Sequence, residues 1–311
     1  MTGSYSSVVL EHFRRPMNRE RLANANAVAD GSNPLCGDRI RIECEVTAGR
    51  IEHAAFTGDA CAICVAAASV LSDRVTGMAV RDTMAIGDRQ LIAWLEAPLP
   101  PARVRCATLP LETLQRALTP LVPVAPARPV ILAAGTGSRF GGDKLTAMVD
   151  GEPMLRGVVR AYAAVCGRVT VVTRSQSQFD AALEGLPVTV VTNADADEGI
   201  ASSIRAAVSS CSDRPAVMIA LGDEPRVDRS LVVAVIDRWQ ETGATVVAPR
   251  FGGVLGHPVL FDRNCFADLL ALDGDAGARG VIRHLRDRVQ YVDVDRAPPA
   301  DIDSQDDLRK L

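Results

Sequence analysis

Apolar and polar positions change rhythm part-way along this chain. Before about residue 118, two short runs alternate, Ile40–Val46 and Ile51–Thr57, joined by Thr47-Ala48-Gly49-Arg50. Strict alternation predicts two half-buried strands, and the join predicts a hairpin turn. Ala60–Leu71 and Glu112–Leu118 carry the pattern of helices. This stretch predicts a small α+β unit. After residue 129 the pattern becomes continuous apolar runs separated by amphipathic stretches. The predicted strands are Val130–Leu132, Val169–Thr173, Val188–Val191, Ala216–Leu221, Ala244–Ala248 and Val289–Val294. Between them, Met154–Val165, Ile200–Ser209 and Leu231–Thr242 predict helices. Alternating strands and helices predict a three-layer, Rossmann-like α/β unit with a mostly parallel sheet. Such sheets bind ligands beyond the C-terminal ends of their strands.

The two patterns meet at Thr119–Pro129, which carries four prolines in eleven residues and reads as a stiff, extended linker. The expected division is residues 1–120, a linker at 121–128, and residues 129–311. At 311 residues the chain is long enough for two cores. No apolar run approaches the length of a membrane span, and the first residues lack a charged segment followed by an apolar core. The expected location is the cytoplasm, with no membrane partner. The net charge is −4, and the first 125 residues are balanced. Neither half offers the basic field of a nucleic-acid binder. Eight cysteines in such a chain point to metal or thiol chemistry rather than disulfides.

Candidate chemistry in the second half starts at Leu132-Ala133-Ala134-Gly135-Thr136-Gly137-Ser138-Arg139, directly after a predicted strand, and runs on to Lys144. Glycines let a backbone approach an anion, and the N–H groups of such a loop cradle phosphates. The loop lacks the Walker A pattern, and Phe140 stands where a dinucleotide fingerprint needs its third glycine. Arg139 and Lys144 supply cations. Nearly every basic residue here is arginine, the exceptions being Lys144 and Lys310, so a lysine in this loop stands out. Leu221-Gly222-Asp223-Glu224-Pro225 brings Asp223 to the end of another predicted strand, where a carboxylate can hold Mg²⁺ against a triphosphate. In Asp301-Ile302-Asp303-Ser304, Asp303 is either a second magnesium contact or part of a helix N-cap.

These segments resemble the molybdenum-cofactor nucleotidyltransferases. The matching residues include Leu132-Ala-Ala-Gly135, Ser138-Arg139-Phe140-Gly141, Lys144-Leu145, Leu221-Gly-Asp223-Glu-Pro225, Gly256-His-Pro258 and Asp301-Ile-Asp303. The pair Ala133-Ala134 looks like the branch that attaches CMP to molybdopterin. The resemblance implies attack of an acceptor phosphate on the α-phosphorus of CTP, with release of pyrophosphate. It implies nucleotide contacts from Leu132 to Gly137 with Arg139 and Lys144, and Mg²⁺ on Asp223 and Asp303. Arg139, Lys144 and Asp223 would be the catalytic residues. His257 is either an active-site group or a turn-stabilising residue.

In the first half, Cys36, Cys61 and Cys106 each fall near an expected loop or helix start, with Asp38 close to the first. Three thiolates and a carboxylate suit zinc or iron–sulfur, and a helix N-terminus favours the thiolate. Asn33-Pro-Leu-Cys36-Gly-Asp38, Phe56-Thr-Gly58 with Cys61, and Arg105-Cys106-Ala107 resemble the scaffold proteins of iron–sulfur cluster assembly, over residues 4–118. The resemblance implies Cys36, Asp38, Cys61 and Cys106 as ligands, and a cysteine desulfurase as partner. Arg105, where many scaffolds have histidine, is nearer the branch that binds zinc and accepts sulfur. Cys64 is either a fourth thiol or a core residue. Cys44, Cys166, Cys211 and Cys265 read as structural.

Together the two resemblances imply a fusion that matures molybdenum hydroxylases, which need both a dinucleotide molybdenum cofactor and clusters. Two alternatives stand beside it. One is a carrier that binds nucleotide without turnover. The other is nucleotidyl transfer to a different phosphate acceptor.

Overall fold

The computed structural model describes residues 5–135, 140, 144–275, 277–299, 302 and 307–308. It divides into two units, Met1–Pro123 and Val124–Leu311.

The first unit opens with α1 (Ser7–Arg14), capped by the Ser6 hydroxyl, which accepts from the Val9 N–H. Three antiparallel strands follow in the order β1 (Ala27–Asn33), β2 (Asp38–Thr47), β3 (Arg50–Asp59). The expected hairpin is β2–β3. Beyond it lie α2 (Ala62–Val75), α3 (Val80–Ala85), α4 (Asp88–Trp94) and α5 (Pro101–Leu118). Helix α2 is buried on almost every side, from Ile63 to Ser72. Its run of Ala66, Ala67 and Ala68 explains this, since small side chains let neighbours approach all round. Ser69 is buried too, and its hydroxyl meets His12 Nδ1 and the Met17 N–H, both at 2.8 Å.

Helix α5 begins eleven residues before the stretch that the pattern predicts. Pro100, Pro101 and Pro110 hide it in the sequence. Pro101 occupies the first helical turn, where a missing N–H costs nothing. Pro110 lies inside the helix and removes the bond to the carbonyl four residues earlier, that of Cys106.

The second unit starts with β4 (Ala127–Leu132), so the linker expected at 121–128 is shorter at its end: Ala127 and Arg128 pair with Ala216 and Val217 and are buried. A small hairpin, β5 (Met148–Val149) and β6 (Glu152–Pro153), leads into α6 (Met154–Cys166). Then come β7 (Val169–Thr173), α7 (Asp180–Leu183), β8 (Val188–Thr192), α8 (Ile200–Ser210), β9 (Ala216–Leu221) and α9 (Arg229–Thr242). The unit ends with β10 (Val246–Phe251), β11 (Val254–Leu255), β12 (Val259–Asp262), α10 (Phe266–Leu270), α11 (Arg279–His284) and β13 (Val289–Val294). The sheet order is β11-β10-β12-β9-β4-β7-β8, with β13 beside β10.

Strands β9, β4, β7 and β8 run parallel, and β12 is an antiparallel insertion between β9 and β10. The strand alternation feeds two cores. Ile131, Met218 and Ala220 face α6 and α9, whereas Val130, Val217 and Ile219 face α8, α10 and α11. That is the expected three-layer α/β architecture. Among the described residues no helix is long and apolar enough to cross a membrane.

Candidate functional site

In the second unit, neighbouring strands β4 and β9 end side by side. Gly222 follows β9 and its N–H donates to the Leu132 carbonyl at 3.0 Å. A Cβ here would lie 3.2 Å from that carbonyl oxygen and 3.4 Å from Leu145, so a larger residue would push the two strand ends apart. This closeness carries Asp223 across to the loop after β4. Lys144 Nζ lies 2.7 Å from Asp223 Oδ2, and Lys144 is only 9% exposed. A buried ammonium costs free energy unless it is paired. Here it has a carboxylate partner at the C-terminal edge of the sheet.

Ala133 and Ala134 are buried, with the Ala133 N–H on the Val172 carbonyl. The Ala134 carbonyl accepts from Arg174 Nε at 2.8 Å, and Arg174 also meets Asp197 at 2.8 Å. Arg174 escapes sequence reading because its role depends on β7 ending beside the loop. Gly135 has open space where a side chain would stand. Thr136, Gly137, Arg139 and Asp303, expected at this site, lie outside the described residues. His257 Nδ1 meets Glu224 Oε1 at 2.9 Å, beside buried Tyr162. The histidine therefore joins the segment that carries Asp223.

In the first unit, three elements converge. The turn between β1 and β2 carries Cys36, and the first residue of β2 is Asp38. Cys61 is the N-cap of α2. Cys106 sits in the second turn of α5, buried, rather than near a loop. Cys36 Sγ and Cys106 Sγ are 3.6 Å apart. With a carboxylate oxygen of Asp38 they form a group whose ligand atoms all lie within 4.8 Å of one another. Cys61 stands outside that close group but touches it: its N–H donates to Asp38 Oδ1 at 2.8 Å, and its thiol meets Cys106. Burial raises the pKa of the Asp38 carboxyl, but the Cys61 N–H and the three thiols outweigh it and hold the group below its ordinary value.

Asp38 Oδ2 is buried with no hydrogen-bond partner. A buried carboxylate oxygen without a partner is costly, and a metal ligated there would satisfy it. Two soft thiols beside one hard oxygen fit zinc or an iron–sulfur unit. Cys106 lies in the second turn of α5 rather than at a helix N-terminus, and its surroundings favour the thiol. Burial and the Cys36 thiol push Cys106 up to about 12, against the pull of Arg103. Metal binding must then displace a proton.

Arg103 and Asn33 complete the surroundings of Cys106. Arg103 donates to the thiol from one turn earlier on α5, and Asn33 Nδ2 lies 3.8 Å from it. The three-residue spacing of Arg103 and Cys106 signals this contact only once both are known to lie on one helix.

Residues 129–289 match the MobA-like NTP transferase domain, and residues 4–121 match the NifU-like N terminal domain. The first unit is 30% identical over 131 residues to the zinc-dependent sulfurtransferase SufU of Bacillus subtilis (strain 168), which covers 36% of this chain and 87% of that protein. It is 31% identical over 114 residues to the iron–sulfur cluster assembly scaffold protein IscU 1 of Archaeoglobus fulgidus, covering 37% of this chain and 74% of that one. The crystal structure of Rv0371c from Mycobacterium tuberculosis H37Rv aligns with a TM-score of 0.51 and 28% identity, over 60% of this chain and 97% of that one. The pair of strand ends that joins Lys144 to Asp223, and the thiol group around Asp38, thus lie in domains of two known kinds, and the chain belongs to both families: the MobA-like NTP transferases through its C-terminal unit and the NifU-like iron–sulfur scaffolds through its N-terminal unit.

Proposed function

We propose that this chain transfers a cytidylyl group from CTP to the phosphate of a molybdopterin-type acceptor, and that its N-terminal unit takes up sulfur or assembles a cluster for the same client, an apo molybdenum hydroxylase. In this reading residues 1–120 are the scaffold domain and 129–311 the transferase domain. The observation that carries the transferase half is the contact of Lys144 with Asp223 at the ends of adjacent strands. It brings a cation for phosphate and a hard oxygen donor to one place.

An acceptor phosphate oxygen attacks the α-phosphorus of CTP, and the bond to pyrophosphate breaks in line. Such transfers need positioning and charge compensation more than covalent help. The backbone of Leu132–Gly137 and the cations Arg139 and Lys144 hold the triphosphate. Lys144 compensates negative charge that gathers on the departing pyrophosphate. Asp223 and Asp303 would hold Mg²⁺, whose chemistry there is neutralisation of phosphate charge. Ala133-Ala134 supports cytidine over guanosine.

The test is pyrophosphate release from CTP with Mg²⁺ and molybdopterin. The expected result is acceptor-dependent release, faster with CTP than with GTP, and reduced about 10²–10³-fold in Asp223→Ala. No release, or release unchanged by the substitution, overturns the reading. CTP bound without turnover would identify the carrier instead.

For the N-terminal unit, Cys36, Asp38, Cys61 and Cys106 are the proposed ligands, with a cysteine desulfurase as the sulfur donor. The unpartnered Asp38 oxygen supports a metal-holding role. Metal analysis of the purified protein and anaerobic reconstitution with iron and sulfide test it. A visible-absorbing species lost in Cys36→Ala marks a cluster, and tightly held zinc marks the sulfur-accepting branch. Neither metal binding to the site overturns the ligand set.

A further inference from the structure

The ligand set leaves one thiol at the site without a role. Cys64 lies three residues after Cys61, in the first turn of α2, and is fully buried. Asp38, Cys61, Cys106 and Cys36 lie near enough for their charges to act on it. Its neighbours in sequence, Ile63 and Val65, are apolar and buried, and Ala66, Ala67 and Ala68 follow on the same helix, so packing alone would be met by a small apolar residue. Cys44 lies in β2, and Cys166, Cys211 and Cys265 lie in the second unit. Cys61, by contrast, is half-buried and stands at the N-cap with extended backbone (φ −65°, ψ 164°). Residues three apart on a helix are neighbours, about 5–6 Å between Cβ atoms, and a disulfide needs only modest closing of that gap at a helix start. An accessible cysteine at a helix N-cap followed three residues later by a buried one is the arrangement of a nucleophilic and a resolving thiol. Cys36, Asp38 and Cys106 form their close group without Cys61, whose thiol meets Cys106 and has Cys64 one turn along α2 as a further thiol neighbour.

We propose that Cys61 and Cys64 are a dithiol couple that reduces sulfane sulfur at the site. The inference rests on the reading that the N-terminal unit accepts sulfur. A persulfide on Cys61, delivered directly or passed on from exposed Cys36, is attacked by Cys64 at the Cys61 sulfur. A bond forms between Cys64 Sγ and Cys61 Sγ, and the bond from Cys61 Sγ to the outer sulfur breaks. The outer sulfur leaves with the electron pair and takes the Cys64 proton, departing as hydrogen sulfide. The sulfane sulfur gains two electrons and the two thiols lose them as they become a disulfide. An external dithiol returns the couple to its reduced form by exchange. The product is sulfide, the oxidation level that a cluster requires, formed beside the residues that would bind the iron.

The experiment uses the full chain, persulfidated with inorganic polysulfide and freed of excess reagent, with no thiol present. Trypsin releases Ile51–Arg74, whose only cysteines are Cys61 and Cys64. The expected wild-type result is release of sulfide and a peptide lighter by two hydrogens. In Cys64→Ala the peptide keeps one extra sulfur on Cys61, and sulfide released before a dithiol is added falls at least about tenfold. Cys64→Ser should behave alike, with folding checked by circular dichroism, and the wild-type peptide is informative whether or not either variant folds. Persulfide retained on wild-type Cys61, a wild-type disulfide joining Cys36 to Cys106 instead, or equal sulfide release by the variants overturns the couple alone. Absence of added sulfur on every N-terminal cysteine, in wild type and variants, with no sulfide released, overturns the sulfur-accepting reading as well.

Discussion

Gly58 decides how closely β2 and β3 can approach at the end that carries Asp38 and leads to Cys61. Its φ is +144°, a conformation other residues rarely adopt, and a Cβ there would sit 2.2 Å from the Arg39 carbonyl oxygen and 2.9 Å from Ile40 Cα. Both obstacles are backbone, so no side-chain rotation relieves them. The strained dihedral costs about 1–3 kcal/mol. Moving the strands apart by the roughly 1 Å needed to reach tight contact costs about 1–3 kcal/mol more, on the scale of overpacked sites. Gly58→Ala should therefore destabilise the first unit by about 2–6 kcal/mol, or roughly 8–24 °C in its melting temperature.

The same hairpin supplies the control. Gly49, at its opposite end, has φ +77°, but a Cβ there would meet nothing within 4 Å, so Gly49→Ala should cost about 1 kcal/mol. Calorimetry measures both. Cobalt titration, read from thiolate charge-transfer absorbance, measures the site. Gly58→Ala should bind cobalt more weakly than wild type, and Gly49→Ala should not. Equal melting shifts for the two variants would refute the steric argument, and unchanged cobalt binding by Gly58→Ala would refute its link to the site.

Two further outcomes follow from buried charges. Glu43 is buried under Arg21 at 2.7 Å, Arg41 at 2.8 Å and the Leu22 N–H at 2.9 Å. Burial opposes its ionisation, but these donors outweigh burial and hold its carboxyl below the ordinary 4.5. Its contribution is complete above that unfolded value and fades as pH falls through the lower folded one. Glu43→Gln should cost about 1–2 kcal/mol at pH 7, and urea titrations on descending into the acid range should show the difference from wild type shrinking; a pH-independent difference would count against it. Arg128 is buried in β4 with Nη1 unpartnered, and burial together with Arg214 lowers its pKa. Arg128→Met keeps much of the volume without the charge and should raise the stability of the second unit by about 1–2 kcal/mol; a lower melting temperature would contradict this.

Strands buried on both faces were the most legible elements, because a short continuous apolar run such as Ala216–Leu221, closed by a glycine, suits a central strand of a covered sheet. Strand β1 was not legible: Ala27-Val-Ala-Asp-Gly-Ser-Asn33 is half polar and contains a glycine. It is held by pairing with β2 and by α5, where Gly31 lets Thr113 come close. The first half of α5 was hidden by prolines that the helix accommodates. The approach of Lys144 to Asp223 could be expected, because both follow strands of one parallel sheet, yet their contact depends on β4 and β9 being neighbours, a property of strand order rather than of either segment. In the first unit, the motifs pointed to Cys36, Asp38, Cys61 and Cys106, and three of these four form the close group. That Cys61 stands apart from the other three depends on where the N-cap of α2 falls, a matter of a single residue.

Lys144 is also an address. Lys144 and Lys310 are the chain's two lysines, so reagents that acylate side-chain amines have two targets, the first of them Lys144. That target is folded away against a carboxylate, and acylation requires a neutral amine released from its partner. The rate of labelling at Lys144 therefore clocks how often the ion pair opens. A triphosphate that competes with Asp223 for the ammonium would change that rate at a single residue, making nucleotide occupancy readable in the intact protein by mass.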